Sequence, residues 1–342
     1  MSISIASNGQ EKKLGTFLSV LKYLIGGFLL SIFYAFFSSA HAACTLTGST
    51  SNTYTYTAAT INSDATITYT GTIRCTNTGS AAQTSQYMCM KTVFTGNTTS
   101  NNSVSLPYTV TATVGGAGSS TTNQTSNVWY GPVNTVATNN ILNYSVSIKV
   151  PAQSGSLTAY PIGTYTGSVQ FFWDMQGNAS SRCEGDSGGG WDSGNTTITA
   201  NYVVPSLCQL NSTSNVEFGN INDIGTTSRD YTAQGAINTT CNYGTPYSIY
   251  LGDGNNRIAG GFRRMTNGSS QYIPYQLYQN ASYSTVWDAT GGVTAVGGSG
   301  GVSKTGTGSA QSTLVYGRIP QGTVISSTPG NYSDTVVVTV TY

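Results

Sequence analysis

Apolar and polar residues alternate along most of this chain with a period of two, the mark of half-buried β-strands. The clearest run is Tyr332 to Tyr342. Val336, Val338, Val340 and Tyr342 fall on one face of it, and Thr335, Val337, Thr339 and Thr341 on the other. The run Tyr165-Thr-Gly-Ser-Val-Gln-Phe-Phe-Trp173 reads as the same strand in an earlier copy. There a loop and one further strand, Thr196 to Val204, follow, whereas nothing follows Tyr342. The first copy is therefore predicted complete and the second one strand short. Its open edge would offer an apolar face to a strand from another chain.

Further pairs run in the same order through both halves. Leu106-Pro107-Tyr108 matches Ile273-Pro274-Tyr275, and Val128-Trp129 matches Val286-Trp287. Ile148-Lys-Val-Pro151 matches Gly317-Arg-Ile-Pro320, and Ile162-Gly-Thr-Tyr165 matches Pro329-Gly-Asn-Tyr332. Cys44 and Cys75 bracket the opening of copy one as Cys208 and Cys241 bracket that of copy two. Short alternating strands separated by turn residues predict β-sandwiches, with the boundary near Pro205-Ser206. The fold class is all-β: two β-sandwiches, the second lacking its last strand. The expected domains are 43–205 and 206–342.

Composition fits this reading. The chain has 342 residues, only 7% of them charged, and 41 glycines, which disfavours helices and supplies turns. Val, Ile, Tyr and Trp give enough apolar surface for a core, against a disordered low-complexity chain. A formal charge of +1 leaves no electrostatic footprint for nucleic acid.

The first 42 residues stand apart. Lys12, Lys13 and Lys22 precede an apolar run from Tyr23 to Phe37, then Ser38-Ser-Ala40-His41-Ala42. This is the order of a secretory signal, with cleavage expected after Ala42 and export from the cytoplasm. A retained membrane anchor is the competing reading.

Export bears on the chemistry. All six cysteines lie beyond Ala42, and an even count in an exported chain reads as disulfides. No CxxC pair and no His remain after cleavage, so no metal or cofactor is expected. Without His, Ser-His-Asp and Cys-His machinery is excluded. Asp174, Glu184, Asp186 and Asp192 share one loop region, but nothing fixes two of them face to face. The stretch Gly297-Gly-Ser-Gly-Gly301 lacks the Lys-Ser/Thr of a phosphate cradle and reads as a flexible loop. No catalytic residue is assigned.

The run Cys241-Asn-Tyr-Gly-Thr-Pro-Tyr-Ser-Ile-Tyr-Leu, with Arg264-Met-Thr-Asn-Gly and Ile273-Pro-Tyr-Gln-Leu-Tyr, is similar to the spore coat protein U family. Thr285-Val-Trp, Val315-Tyr-Gly-Arg-Ile-Pro and the Tyr332–Tyr342 ending continue the match. The resemblance covers Cys208 to Tyr342 densely and copy one loosely. Its members include subunits of archaic chaperone–usher pili. It implies two immunoglobulin-like β-sandwiches, the second an incomplete pilin held by a periplasmic chaperone, passed to an outer-membrane usher and completed by a neighbouring subunit's donor strand. The acceptor strand would present Val336, Val338, Val340 and Tyr342.

A shaft subunit also has to donate about ten residues of free strand, on the order of 30 Å. Cys44 follows the expected cleavage site after only Ala43, so the fold would begin at once with nothing to donate. Such a chain is expected at a pilus tip on the cell surface, with copy one as a binding head for an abiotic or host surface in biofilm formation. Strand directions place the loops near Thr76–Gln86, Pro132–Asn140 and Asp174–Asn195 at the head's outer end. They also predict the disulfides Cys44–Cys75, Cys89–Cys183 and Cys208–Cys241. Val133, Val136, Met175 and Trp191 are the apolar contact candidates in these loops, against the alternative that Met175 and Trp191 pack beneath them. Two rival functions are a structural coat or matrix protein and a glycan-binding lectin using Tyr residues with Asp186 and Asp192.

Overall fold

The computed structural model describes residues 43–76, 87–99, 101, 103–135, 141–153, 160–176, 183, 190–258, 260–325 and 328–342. For 43–44, 75–76, 176 and 190–193 it describes the backbone alone. Every regular element among these residues is a strand.

In copy one the alternation seen in sequence becomes two facing sheets. One has the order β1 (Ala43–Thr47), β3 (Ala65–Thr76), β8 (Ile141–Val150), β5 (Thr109–Val114) and β6 (Ala117–Ser119). The other runs β2 (Ser51–Thr55), β10 (Gly190–Val204), β9 (Gly163–Gln176), β4 (Tyr87–Phe94) and β7 (Val128–Asn134). Every second residue of β8 is buried, from Leu142 through Tyr144, Val146 and Ile148 to Val150. Val169, Phe171, Trp173 and Met175 of β9 meet them from the opposite sheet. Each such side chain contributes roughly 1.5–3 kcal/mol of burial.

Copy two repeats the plan with less. Its larger sheet has the order β11 (Cys208–Thr213), β12 (Tyr231–Cys241), β17 (Ala310–Ile319), β15 (Tyr272–Tyr278) and β14 (Arg263–Thr266). The facing sheet has three strands, β16 (Val302–Thr305), β13 (Pro246–Leu251) and β18 (Val338–Thr341). A separate core forms around Trp287, Tyr247, Ile249 and Ile319.

Several sequence expectations need adjustment. Regular pairing in the last strand begins at Val338, not Tyr332. Before it, Asp334 accepts the Asn255 amide (2.8 Å) and the Tyr275 hydroxyl (2.7 Å), and Ser333 bridges to Thr266, so this part of the chain pairs away from β13. The expected Asp174–Asn195 loop is shorter, because β9 and β10 stay paired up to Gln176 and Gly190. Val128-Trp129 and Val286-Trp287 are not equivalent positions. Trp287 is fully buried and donates to the Ile249 carbonyl at 2.8 Å, whereas Trp129 lies half-buried on β7. The Gly297–Gly301 stretch is packed rather than loose. The Gly298 amide donates to the Tyr250 hydroxyl at 2.9 Å, and a Cβ at Gly301 would lie 2.6 Å from the Tyr250 ring.

Candidate functional site

The two copies let one strand position be compared with and without its neighbour. In copy one, β9 is flanked on both sides, by β4 and by β10. β10 runs antiparallel to it in continuous register from Ser193 opposite Asp174 to Val204 opposite Gly163. Ile198, Ala200 and Tyr202 of β10 are fully buried, and Val204 is 1% exposed. The Tyr202 hydroxyl crosses the core to donate to the Ile148 carbonyl at 2.7 Å. Such a group costs free energy when unpaired, so this bond fixes the strand's depth as well as its register.

In copy two, β18 stands where β9 stands, and it pairs with β13 through Ile249 opposite Val340 as Met90 pairs with Trp173. Among the described residues no strand lies on its other side. The consequence shows in burial. Val169, Phe171, Trp173 and Met175 are at most 4% exposed, while Val336, Val338 and Val340 stay only partly buried and Tyr342 is 50% exposed. Val336, Val338 and Val340 rest against the second core, and Val337 on the opposite face is 65% exposed. The result is an apolar groove beside a row of backbone groups free to pair with an added strand.

The groove is braced from below by an unusual group. Arg263 is fully buried, and its guanidinium donates to the carbonyls of Gly252 (2.9 Å), Trp287 (2.9 Å) and Leu251 (3.3 Å) and to Gln276 Oε1. Burial pushes its pKa down, though arginine remains charged. These bonds tie the end of β13 to β15 and to the Trp287 segment. Burial, and then the bond to Asp334, pushes the Tyr275 hydroxyl up, so it remains a donor to that carboxylate.

The loop candidates fare differently. Met175 does not project. It is 3% exposed, because it continues the inward alternation of Val169, Phe171 and Trp173 on β9. Val133 lies on β7 opposite Met88, half-buried against the first core rather than at a loop tip. Trp191 belongs to the start of β10, at a register shift between Gly190 and Asp192, and its side chain is outside the described residues. Val136, Glu184 and Asp186 also lie outside them, as does the 1–42 segment. Asp174 is fully buried on β9, not in a loop. The disulfides Cys89–Cys183 and Cys208–Cys241 are formed. Cys44 is the cross-strand partner of Cys75, though their side chains are not among those described.

Strand β2, which pairs in parallel with β10, was not legible beforehand, because its Ser-Asn-Thr-Tyr-Thr run carries little apolar signal. Nor did the sequence show that Lys91, Trp129 and Phe172 come together, since they sit on three separate strands.

Residues 194–339 match the family model described as Spore Coat Protein U domain. The matched region begins inside β10 of the first sandwich. No curated protein matches the chain. Among solved structures, the chaperone–tip adhesion subunit complex of the archaic Csu pili of Acinetobacter baumannii is similar at 16% identity and a TM-score of 0.48, covering 88% of this chain and 100% of that one. The CupB6 tip adhesin of Pseudomonas aeruginosa is similar at 10% identity and a TM-score of 0.34, covering 88% and 97%. CfaE, the adhesive subunit of the CFA/I fimbria of enterotoxigenic Escherichia coli, is similar at 12% identity and 0.33, covering 87% and 98%.

Proposed function

We propose that this protein is the tip adhesin of an archaic chaperone–usher pilus. Its C-terminal sandwich joins the fibre by taking in a neighbour's β-strand, and its N-terminal sandwich binds the surface to be colonised. It is a binding and assembly protein, not an enzyme. The observation that carries the reading is the contrast between β9, closed by β10, and β18, open on the same side. A spore coat protein U domain, of a family that includes pilus subunits, supports it.

Copy one also supplies a template for the missing strand. A donor that follows β10 runs antiparallel to β18 and buries an alternating set such as Ile198, Ala200, Tyr202 and Val204. Before assembly a periplasmic chaperone covers the groove, and the usher passes the chain to the adjacent subunit. Residues 1–42 are removed on export, 43–205 form the head and 206–342 the assembly domain. A mature chain beginning at Ala43 has its first residue already in β1, which favours the tip over the shaft. The outer end of the head contacts the surface and promotes biofilm formation, with Val136 and Trp191 as the contact residues.

The test is to append the sequence of residues 193–204 behind Tyr342 through a short flexible linker. The fused chain is expected to be monomeric and to unfold at a higher temperature than the unfused one. An unfused chain that is already a stable monomer and ignores the added strand would overturn the proposal.

A further inference from the structure

The outer face of the head's β2–β10–β9–β4–β7 sheet carries a row of aromatic, cationic and amide side chains outside the first core. Lys91 on β4 lies opposite Trp129 on β7 and Phe172 on β9, and Phe172 lies opposite Asn195 on β10. Lys91 and Phe172 point away from the core, because their chain neighbours Met90, Thr92, Phe171 and Trp173 are buried, and Trp129 and Asn195 are their cross-strand partners. The Lys91 ammonium sits 4.9 Å from the centroid of each ring. Beside the row, Gln170 Nε2 donates to Asn195 Oδ1 at 3.3 Å, and both amides are exposed.

Two observations separate this row from an ordinary solvated face. First, the ammonium is held between two rings, and among the described residues it has no anionic partner. The ion pairs among the described residues engage Lys149, Arg257 and Arg318, and Lys91 is in none of them. Second, the equivalent face of copy two is roofed. Tyr250 opposite Thr339 takes the place of Lys91 opposite Phe172, and it is fully buried under its own Gly-rich loop, with its hydroxyl bonded to Ala295 and Gly298. In the head Lys91 and Phe172 at the same position are half-buried, and among the described residues no such loop covers them.

From this we infer that the row is a binding site for an acidic saccharide, a sugar bearing a carboxylate. Aromatic rings offer dispersion to the C–H face of a pyranose, the Lys91 ammonium takes the carboxylate, and the two amides supply directional bonds to hydroxyls. Four strands at the usual spacing span about 14 Å, the reach of a few sugar rings. A protein partner would need an interface of about 800 Å² on each side, and the row is far smaller. The site sits just inside the Cys89–Cys183 disulfide, near the end of β9 remote from Gly163.

This inference rests on reading the first sandwich as the binding head, and its test does not involve fibre assembly. The full chain would be titrated with an oligogalacturonate, a neutral oligosaccharide of equal length and an acidic peptide of equal charge. Binding to the oligogalacturonate is expected, with both others at least tenfold weaker. Lys91→Gln should cost at least tenfold in affinity, Lys91→Arg should retain most of it, and added salt should weaken it. Phe172→Leu should also lose affinity; because its ring is half-buried, the exposed pair Gln170→Ala and Asn195→Ala provides a second variant, expected to weaken binding without moving the unfolding temperature. No binding, equal binding of the neutral sugar or the peptide, or an unaffected Lys91→Gln would each overturn the site. A chain that accepts a donor strand yet ignores the oligogalacturonate would lose this inference and keep the fibre reading.

Discussion

Single side chains set the shape of the groove beside β18 and would decide whether a strand can fill it. Arg263 donates to the backbone carbonyls of Leu251, Gly252 and Trp287 from a fully buried position. Arg263→Ala should therefore destabilise the second sandwich by about 3 kcal/mol, the scale of losing charge-assisted bonds in a buried site, as read by chemical denaturation. Parity makes a sharper test. Val338 faces the groove and Val337 faces solvent. Val338→Asp places a carboxylate against the incoming strand, so capture of a strand peptide should weaken by about a hundredfold, roughly 2.7 kcal/mol. Val337→Asp, one residue away, should leave capture unchanged. Equal effects at the two positions would mean that the strand does not enter this groove.

At the scale of elements, the strand β10 belongs to two units at once. It completes the first sandwich along its whole length, and the family match to the following domain begins within it. Copy one is thus closed by a strand attached to the start of copy two, the same relation that copy two would have with a neighbour. Hydrogen exchange provides the comparison. β9 amides should be strongly protected from the outset, and β18 amides facing the groove should become protected only after a strand is added. The Cys89–Cys183 bond acts on the same sheet across a separation of 94 residues. Replacing both cysteines with Ser should cost up to about 4–5 kcal/mol on the chain-entropy account, measured on the head's unfolding transition.

Across the whole molecule, the link between the sandwiches is short and held by one buried side chain. Asn242 accepts the Leu207 amide at 3.0 Å, donates to the Pro205 carbonyl at 2.9 Å, and pairs its own amide with the Leu207 carbonyl at 3.1 Å. A further bond runs from the Ile162 amide to the Tyr243 carbonyl at 3.1 Å. Leu207 itself packs into the first core. A load applied through the second sandwich would pass through these contacts to the head. Asn242→Ala should leave both cores intact but open the 205–207 segment to limited proteolysis. Resistance equal to the parent chain would show that Leu207 alone anchors the joint.

Much of this was written locally. Period-two alternation in Leu142–Val150 and Val336–Tyr342 names both the strand and its inward face, because a strand's geometry puts alternate residues on opposite sides wherever it lies. The duplicated cysteines and Pro-Tyr starts marked the repeat, since equivalent folds need the same turns and staples. What the local pattern does not contain is which strands become neighbours. Burial of Met175, the parallel pairing of β2, the roof over Tyr250 and the row of Trp129, Lys91 and Phe172 all join residues far apart in the chain. Those arrangements follow from sheet order, so they were settled only when the strands assembled.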